Sequence, residues 1–178
     1  PFALGWIPET VYAVLSNIVT ERPDGKGSTV PCDTWDNATM LCTVSHDGYE
    51  FPMTLETKRI EPGETDQWYL KISGTKASVY FTSEDPNAFQ YLYADGPIQA
   101  WNRLQVGYRS MFKTVTGENF EFGFSDSILQ MWAAYMSELD GKELPFGCVK
   151  PVHTHLSHAL ITAALQSHEE QRAVTVAY

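Results

Sequence analysis

The sequence has few cations, few cysteines and no long apolar run, and each shortage excludes a class of protein. Only 12 Lys and Arg stand against 22 Asp and Glu, a net charge of −10. This argues against a nucleic-acid partner, because such affinity comes largely from clustered cations. Cys32, Cys42 and Cys148 are odd in number and lack zinc-site spacing, so we expect free thiols in a reducing compartment. No stretch approaches the roughly 20 apolar residues of a membrane span, and no secretion signal begins the chain. We therefore expect a cytoplasmic protein that binds neither membranes nor nucleic acids.

Familiar catalytic and nucleotide-binding motifs are missing too. The sequence contains no P-loop, no G-x-S-x-G nucleophile elbow and no H-E-x-x-H zinc helix. Gly25 and Gly27 supply two glycines of a dinucleotide fingerprint, but Val30 takes the third position and Pro31 follows where a helix should open. We interpret this stretch as a flexible glycine loop. We expect no catalytic residue and no cofactor-binding residue in the chain.

The pattern that is present predicts strands over the first two-thirds of the chain. With 178 residues, 43% of them hydrophobic, the sequence suits one domain over 1–178 with a sizeable core. Its first apolar segment also fits helical spacing, but the β-branched content favours a strand. Pro52 predicts an edge strand or a bulge, and Gly74 predicts a hairpin turn. The predicted strands are "TVYAVLSNIVT", "ATMLCTV", "FPMTLETKRI", "DQWYLKISG", "KASVYFT" and "AFQYLYADG".

Two helices and a short strand follow. The segment "SDSILQMWAAYMSELDG" predicts a helix with Ser125 as its N-cap, Asp126 in its first turn and Gly141 as its end. Its apolar residues cover most of the circumference, which is typical of a buried helix. Strands followed by helices, without β-α-β alternation, predict an α+β fold: a large, mostly antiparallel open sheet with helices packed on one face. The second helix, "THLSHALITAALQSHEE", precedes the strand "AVTVAY" and carries a polar stripe of His155, His158, Thr162, Gln166 and Glu169.

Two clusters of polar residues suggest chemistry without defining it. His153, His155 and His158 invite a metal hypothesis, since neutral imidazole is a good zinc ligand. No carboxylate or cysteine of matching spacing accompanies them, so we favour a helix start that faces solvent or a neighbouring domain, and we expect no metal site. A second set, Asp33, Asp36 and Glu121, could serve acid-base chemistry or glycoside cleavage, although loop carboxylates are usually just solvated.

Aromatic residues make up 13% of the chain, and several stand near turns beside polar residues. Trp35, Trp68 and Trp101 each neighbour an Asp, Asn or Gln. Sugar-like ligands present apolar faces and hydroxyl edges, so this pattern suits a polyol pocket, although core packing explains it equally well. Arg59, at the end of a predicted strand, is a further candidate for ligand contact, with surface ion pairing as the alternative.

The order of several motifs resembles that of a known family. These motifs are "DTWDNA", the hairpin "ISGTKAS", the helix start "GFSDS" and the final helix beginning "SHALIT". Together they resemble the carboxy-terminal domain of the Gfo/Idh/MocA oxidoreductases, over nearly the whole chain. The resemblance implies a parent enzyme with an amino-terminal Rossmann domain that carries G-x-G-x-x-G, a catalytic lysine in E-K-P and a catalytic histidine in D-x-x-x-H. None of these motifs is in the sequence, which begins abruptly at Pro1.

The resemblance therefore implies a domain excised from a dehydrogenase and inert by itself. The parent would move a hydride between NAD or NADP, bound mainly by the absent domain, and a sugar, polyol or inositol-like substrate. This chain would complete the substrate pocket, contact its own Rossmann domain and pair with another copy through the open sheet face. The alternatives are a carbohydrate-processing hydrolase or binding module, and a purely structural oligomerisation domain.

Substrate contacts are expected from two places in the sequence. The long loop 21–37 would lie near domain or subunit contacts, and the stretch "FEFGFSD" resembles the family's loop that borders the active site, where helix capping and core packing are the alternatives. With Arg59 and Trp68 from the arguments above, the candidate residues are Asp33, Trp35, Asp36, Arg59, Trp68, Phe122, Phe124 and Asp126.

Overall fold

The computed structural model describes residues 1–107, 109–115, 117, 123–145 and 147–178. The chain folds as two compact units, one of Pro1–Glu61 with Val149–Tyr178 and the other of Pro62–Cys148. Each unit contains antiparallel strands and one long α-helix, so the expected α+β class with open, antiparallel sheet is confirmed. The elements are β1 (Pro8–Ser16), β2 (Glu21–Pro23), β3 (Thr29–Pro31), β4 (Asn37–His46), β5 (Tyr49–Lys58), β6 (Tyr69–Ser73), β7 (Ala77–Thr82), β8 (Ala88–Tyr93), β9 (Asn102–Gln105), α1 (Phe124–Leu139), α2 (Pro151–Glu170) and β10 (Val174–Thr175).

The first unit is a four-stranded sheet with α2 on one face. Its strand order is β10-β1-β4-β5, and all pairs are antiparallel. Along β1 the burial alternates: Val11 and Ala13 are covered and pack with α2, whereas Tyr12 and Val14 are exposed. This period of two confirms the strand prediction for the first segment. Pro52 lies in β5, an outer strand of the sheet, as its missing N–H predicts.

A buried serine joins α2 to β1. The Ser167 side chain is fully covered, and its Oγ accepts the Ala13 N–H at 3.0 Å. The same hydroxyl donates to the backbone oxygen of Arg172 at 2.6 Å, in the turn between α2 and β10. One hydroxyl thus satisfies a strand amide and a turn carbonyl inside the core.

The connection between β1 and β4 contains a two-stranded ribbon. In it β2 and β3 pair antiparallel, with Arg22 opposite Val30. The predicted glycine loop forms the tip of the ribbon. Gly25 and Gly27 have φ values of 74° and 95°, which side-chain-bearing residues rarely adopt.

The second unit is a four-stranded antiparallel sheet, β6-β7-β8-β9, together with α1. The predicted hairpin at Gly74 is confirmed, since its N–H donates to the Ala77 oxygen at 2.8 Å. The expected N-cap of α1 was wrong: the cap is Gly123, and Ser125 already lies in the first helical turn. Asp126 Oδ2 accepts the Gly123 N–H at 3.2 Å, the reciprocal half of a capping box.

The expectation that α1 is buried was also wrong. Of its described residues only Asp126 and Ala134 are buried, whereas Trp132 is 57% and Met136 60% exposed. An apolar circumference is buried only where other elements surround the helix. No helix in the described ranges is long and apolar enough to cross a membrane.

Candidate functional site

The carboxylate of Asp36 ties together the connection between β1 and β4. Its Oδ2 accepts the N–H groups of Ile18 at 2.8 Å and Val19 at 2.7 Å, and its Oδ1 accepts a hydrogen bond from the Arg22 guanidinium. The Asp36 backbone oxygen accepts the Arg59 N–H at 2.7 Å. None of the Asp36 side chain is exposed, against 27% for Arg22. This carboxylate is therefore committed to internal contacts.

These contacts also fix the charge of Asp36. The hydrogen bond from Val19, with those from Ile18 and Arg22, lowers the pKa of the Asp36 carboxyl, although burial opposes the shift. A carboxylate held in its charged form is a poor general acid, for which a raised pKa is needed. Asp36 is therefore unsuited to donate a proton to a glycosidic oxygen.

Two of the three free cysteines occupy contrasting environments. The half-buried Cys32 has its Sγ 3.1 Å from the Thr34 Oγ1, and hydrogen bonds with Thr34, then with Arg22, lower its pKa. Cys42 is buried in the core, and desolvation raises its pKa to about 11. The thiolate, which is the reactive form, is therefore favoured at Cys32.

Trp35 packs against α2, whereas Asp33 and Arg59 of the candidate set face outward. The Trp35 ring meets the imidazole of His168 edge-on, with centroids 4.8 Å apart, and remains 45% exposed. His168 Nδ1 accepts the N–H of Leu15 at 3.2 Å, which orients the imidazole. Asp33 and the Arg59 side chain are exposed, and neither forms an ion pair with the described part of the chain.

The remaining candidates belong to the second unit. Trp68 is 77% exposed and Phe124 is 83% exposed, the latter at the start of α1. Phe122, and with it Glu121 of the alternative carboxylate set, lies outside the described residues. Asp126 is buried, and besides capping α1 it accepts the Val115 N–H on Oδ1 at 3.2 Å.

Gln130 is a supporting residue that sequence reasoning missed. Its Oε1 accepts the Phe112 N–H and its Nε2 donates to the Phe112 oxygen, each at 2.8 Å. With Asp126, it fastens the segment from Phe112 to Val115 along the start of α1. A glutamine in a helix gives no sequence signal for such a role, because exposed helix faces commonly carry glutamine.

The structure thus brings one part of the candidate set together. Asp33, Trp35 and Asp36 lie in the connection from β1 to β4, and the Asp36 backbone oxygen accepts the N–H of Arg59, which follows β5. Of these residues Asp33, Trp35 and Arg59 are exposed, and a carboxylate, an aromatic edge and a guanidinium are groups that a hydroxylated ligand can contact. Trp68, Phe124 and Asp126 lie in the other unit.

The glycine ribbon does not fit a dinucleotide. Asp24 Oδ1 accepts the N–H groups of Lys26 at 2.7 Å and Ser28 at 3.0 Å, and these bonds lower the pKa of Asp24. The amides that would hold a pyrophosphate are therefore occupied by a carboxylate, which would also repel it.

The histidines at the start of α2 have local roles. His153 Nδ1 accepts the Lys150 N–H at 3.2 Å, and Pro151 opens the helix. Within the described residues, no group of three or more His, Cys, Asp or Glu side chains is arranged to hold a metal ion. His155 and His158 instead border an open groove of about 320 Å³ between α2 and β10.

Comparison with known proteins shows the fold. The sequence matches no family model, and no curated protein matches it. Levoglucosan dehydrogenase in complex with NADH and levoglucosan superposes with a TM-score of 0.77 and 20% identity, over 97% of this chain and 45% of that chain. An NAD binding oxidoreductase from Klebsiella pneumoniae gives 0.78 and 18%, over 96% and 46%. The super-repressor mutant of Gal80p from Saccharomyces cerevisiae gives 0.68 and 15%, over 96% and 45%.

At these identities the likeness establishes the fold and leaves function to the chemistry of the residues. The fold implied by the motif order is confirmed. This chain spans less than half the length of each of these proteins.

Proposed function

We propose that this chain is the carboxy-terminal domain of an NAD(P)-dependent oxidoreductase of the Gfo/Idh/MocA family. The observation that carries the proposal is the shared fold, over 97% of this chain, with a dehydrogenase that holds NADH and a sugar derivative. Since the chain matches only 45% of that protein, the proposal includes an amino-terminal Rossmann domain that holds the cofactor and the catalytic groups. The poor fit of the glycine ribbon to a pyrophosphate supports the assignment of cofactor binding to the Rossmann domain.

The parent enzyme moves a hydride between a nicotinamide ring and a hydroxyl-bearing carbon of a sugar, polyol or inositol-like substrate. When bound, NAD or NADP supplies the hydride chemistry, and this domain binds and orients the substrate. Neighbours in complex with levoglucosan and with L-sorbose support this substrate class. The isolated chain is inert. Its unpaired thiols favour the cytoplasm.

The candidate residues divide by burial into two roles. Asp33, Trp35, Arg59, Trp68 and Phe124 are exposed and are the ones free to contact a substrate. Phe122, outside the described residues, remains a proposed contact on the motif resemblance alone. Asp36 and Asp126 are buried and hydrogen-bonded to backbone amides, so they position the segments that carry the contacts.

A second copy of the chain covers the open sheet face. On the face of the first sheet opposite α2, Tyr12 and Leu41 are cross-strand partners and are 39% and 53% exposed, and Val14 is 50% exposed. An uncovered apolar face of this kind is typical of an interface. A two-fold axis through it would bury the same patch on both copies.

Cofactor titration tests the proposal that the Rossmann domain, and not this chain, binds the cofactor. NAD and NADP are titrated by calorimetry into this chain and, in parallel, into a longer chain that includes the proposed Rossmann domain. Binding by the longer chain alone supports the proposal. Binding by neither chain overturns the dehydrogenase assignment. Binding by the short chain overturns the assignment of cofactor binding to the Rossmann domain.

Kinetics of the longer chain test whether Trp68 contacts the substrate. Trp68→Ala is expected to raise the KM for the substrate while the affinity for the cofactor stays the same, because the contact is with the sugar. Tyr49→Ala is the matched control, since Tyr49 is 75% exposed and Trp68 77%. Equal kinetics for both variants would remove Trp68 from the pocket.

A purely structural oligomerisation domain is the second candidate. The exposed sheet face favours it, and the Gal80p neighbour, described as a super-repressor mutant, shows that the fold is not confined to structures described as enzymes. On this alternative, Leu41→Asp reduces the mass of the assembly, whereas no substitution among the substrate-contact candidates alters KM.

A further inference from the structure

The groove beside β10 lies between the polar stripe of α2 and the outer edge of the first sheet. His155, His158, Thr162 and Gln166 of α2 line one side, and Thr175 and Ala177 line the other. All six residues are exposed. The helix side of the groove is the polar stripe that sequence reasoning assigned to solvent or to a neighbouring domain.

The backbone of this edge points its polar groups into the groove. The Val176 N–H donates to the Glu9 oxygen of β1 at 2.9 Å. Because N–H and C=O directions alternate along a strand, those of Thr175 and Ala177 face away from β1. Both residues line the groove, so a row of strand hydrogen-bonding groups lies open there. Such an edge pairs readily with another strand unless it is guarded.

The two edges of this sheet differ in how they are guarded. The opposite outer strand, β5, carries Pro52 and the charged residues Glu50, Glu56 and Lys58. Proline and charge are the usual devices that stop an edge from pairing. From Val174 to Ala177 the β10 edge carries neither. The sheet therefore presents one blocked edge and one open edge.

The order of polar groups along the α2 stripe fits a second copy of the same chain. Imidazoles, His155 and His158, lie toward the helix start, and Gln166 and Glu169 lie toward its end. Two copies related by a two-fold axis run antiparallel, so the imidazole end of one stripe meets the carboxamide and carboxylate end of the other. Antiparallel pairing is also what two copies of β10 require on that axis.

We propose that the β10 edge and the α2 stripe form a self-association surface, on which a second copy adds its own β10 in antiparallel orientation and continues the sheet across a two-fold axis. This surface differs from the sheet face assigned above to oligomerisation and does not depend on the proposed activity. If the two-fold axes of the face and edge interfaces intersect at right angles, the two interfaces together generate a tetramer of D2 symmetry.

A proline at the open edge tests the proposal. Thr175→Pro removes an N–H that points away from β1, so pairing within the chain is kept while pairing with another strand is blocked. Thr175→Val keeps the N–H and the side-chain shape and is the matched control. Thr175→Lys, which guards the edge by charge and leaves the backbone intact, covers the case in which the proline variant fails to fold.

Mass is measured by sedimentation velocity over a wide concentration range. We expect Thr175→Pro and Thr175→Lys to halve the mass of the assembly, and Thr175→Val to keep it. An unchanged mass in both the proline and the lysine variants overturns the proposal. A wild-type chain that remains a single copy throughout also overturns it, and the edge would then be left for an extended segment of another protein. Leu41→Asp, at the sheet face, reports separately on the other interface.

Discussion

Removal of one buried hydroxyl should loosen the packing of α2 on β1. In Ser167→Ala, the Ala13 N–H loses its acceptor in the core and the Arg172 oxygen loses its donor. A buried group left without a partner costs about 1–3 kcal/mol. Arg172 is exposed, so its oxygen can turn to water and the amide dominates. We expect a loss of about 2 kcal/mol, which corresponds to a fall in Tm of about 4–8 °C for a chain of this size.

The assay combines urea unfolding with hydrogen exchange at the Ala13 amide. Exchange reports on this contact alone, which matters because a chain of two compact units need not unfold in one step. Ser157→Ala is the matched control, since Ser157 Oγ donates only within α2, to the His153 oxygen at 2.9 Å. We expect it to change stability by less than about 0.5 kcal/mol. A Ser167→Ala variant as stable as this control, with the Ala13 amide still protected, would refute the reasoning.

Three further results are expected. The pKa of Asp36 is lowered in the folded chain, so its contribution to stability is present above the unfolded pKa and is lost as the pH falls through the folded pKa. Asp36→Asn should therefore be less stable at neutral pH and lose less stability on acidification, and equal acid sensitivity of the two proteins in thermal unfolding would contradict this. Iodoacetamide should modify Cys32 before Cys42, as read by peptide mass spectrometry, because hydrogen bonding lowers the pKa of the first thiol and burial raises that of the second; the reverse order would show that the thiolates are not favoured as described. Gln130→Leu should destabilise the held segment by about 1 kcal/mol, seen as roughly fivefold faster exchange of the Phe112 amide, and unchanged exchange would remove Gln130 from that role.

Local sequence patterns predicted the strands and helices well because the periodicity of side chains along each element follows from its own backbone geometry. The β-branched content of β1 outweighed its helix-compatible spacing, and Pro52 marked an outer strand. The N-cap of α1 could also have been read from the sequence: an acid at the third helical position, Asp126, indicates a cap three residues earlier, at Gly123. The burial of α1 could not, since burial depends on which elements surround a helix.

The site was only partly predictable because residues close together in the sequence differ in burial and in their hydrogen-bond partners. Asp33 and Asp36 share one short motif, yet Asp33 is exposed and Asp36 is covered. The partner of Asp36, Arg22, lies 14 residues away in a ribbon whose strands are three residues long. Ser167 and Ala13 are 154 residues apart, and no local pattern announces such a contact.

Asp36 also divides the β1–β4 connection into segments that its contacts hold in place and a ribbon tip that these contacts do not reach. Its carboxylate and backbone bind the start of the β1–β4 connection, at Ile18 and Val19, and the end of β5, at Arg59. The ribbon tip, residues 24–28, lies beyond these anchors, where the Asp24 carboxylate accepts two amides of the tip and the Asp24 N–H donates to the Ser28 oxygen. Insertions, deletions and new side chains at the tip can therefore accumulate over evolution without disturbing the sheet.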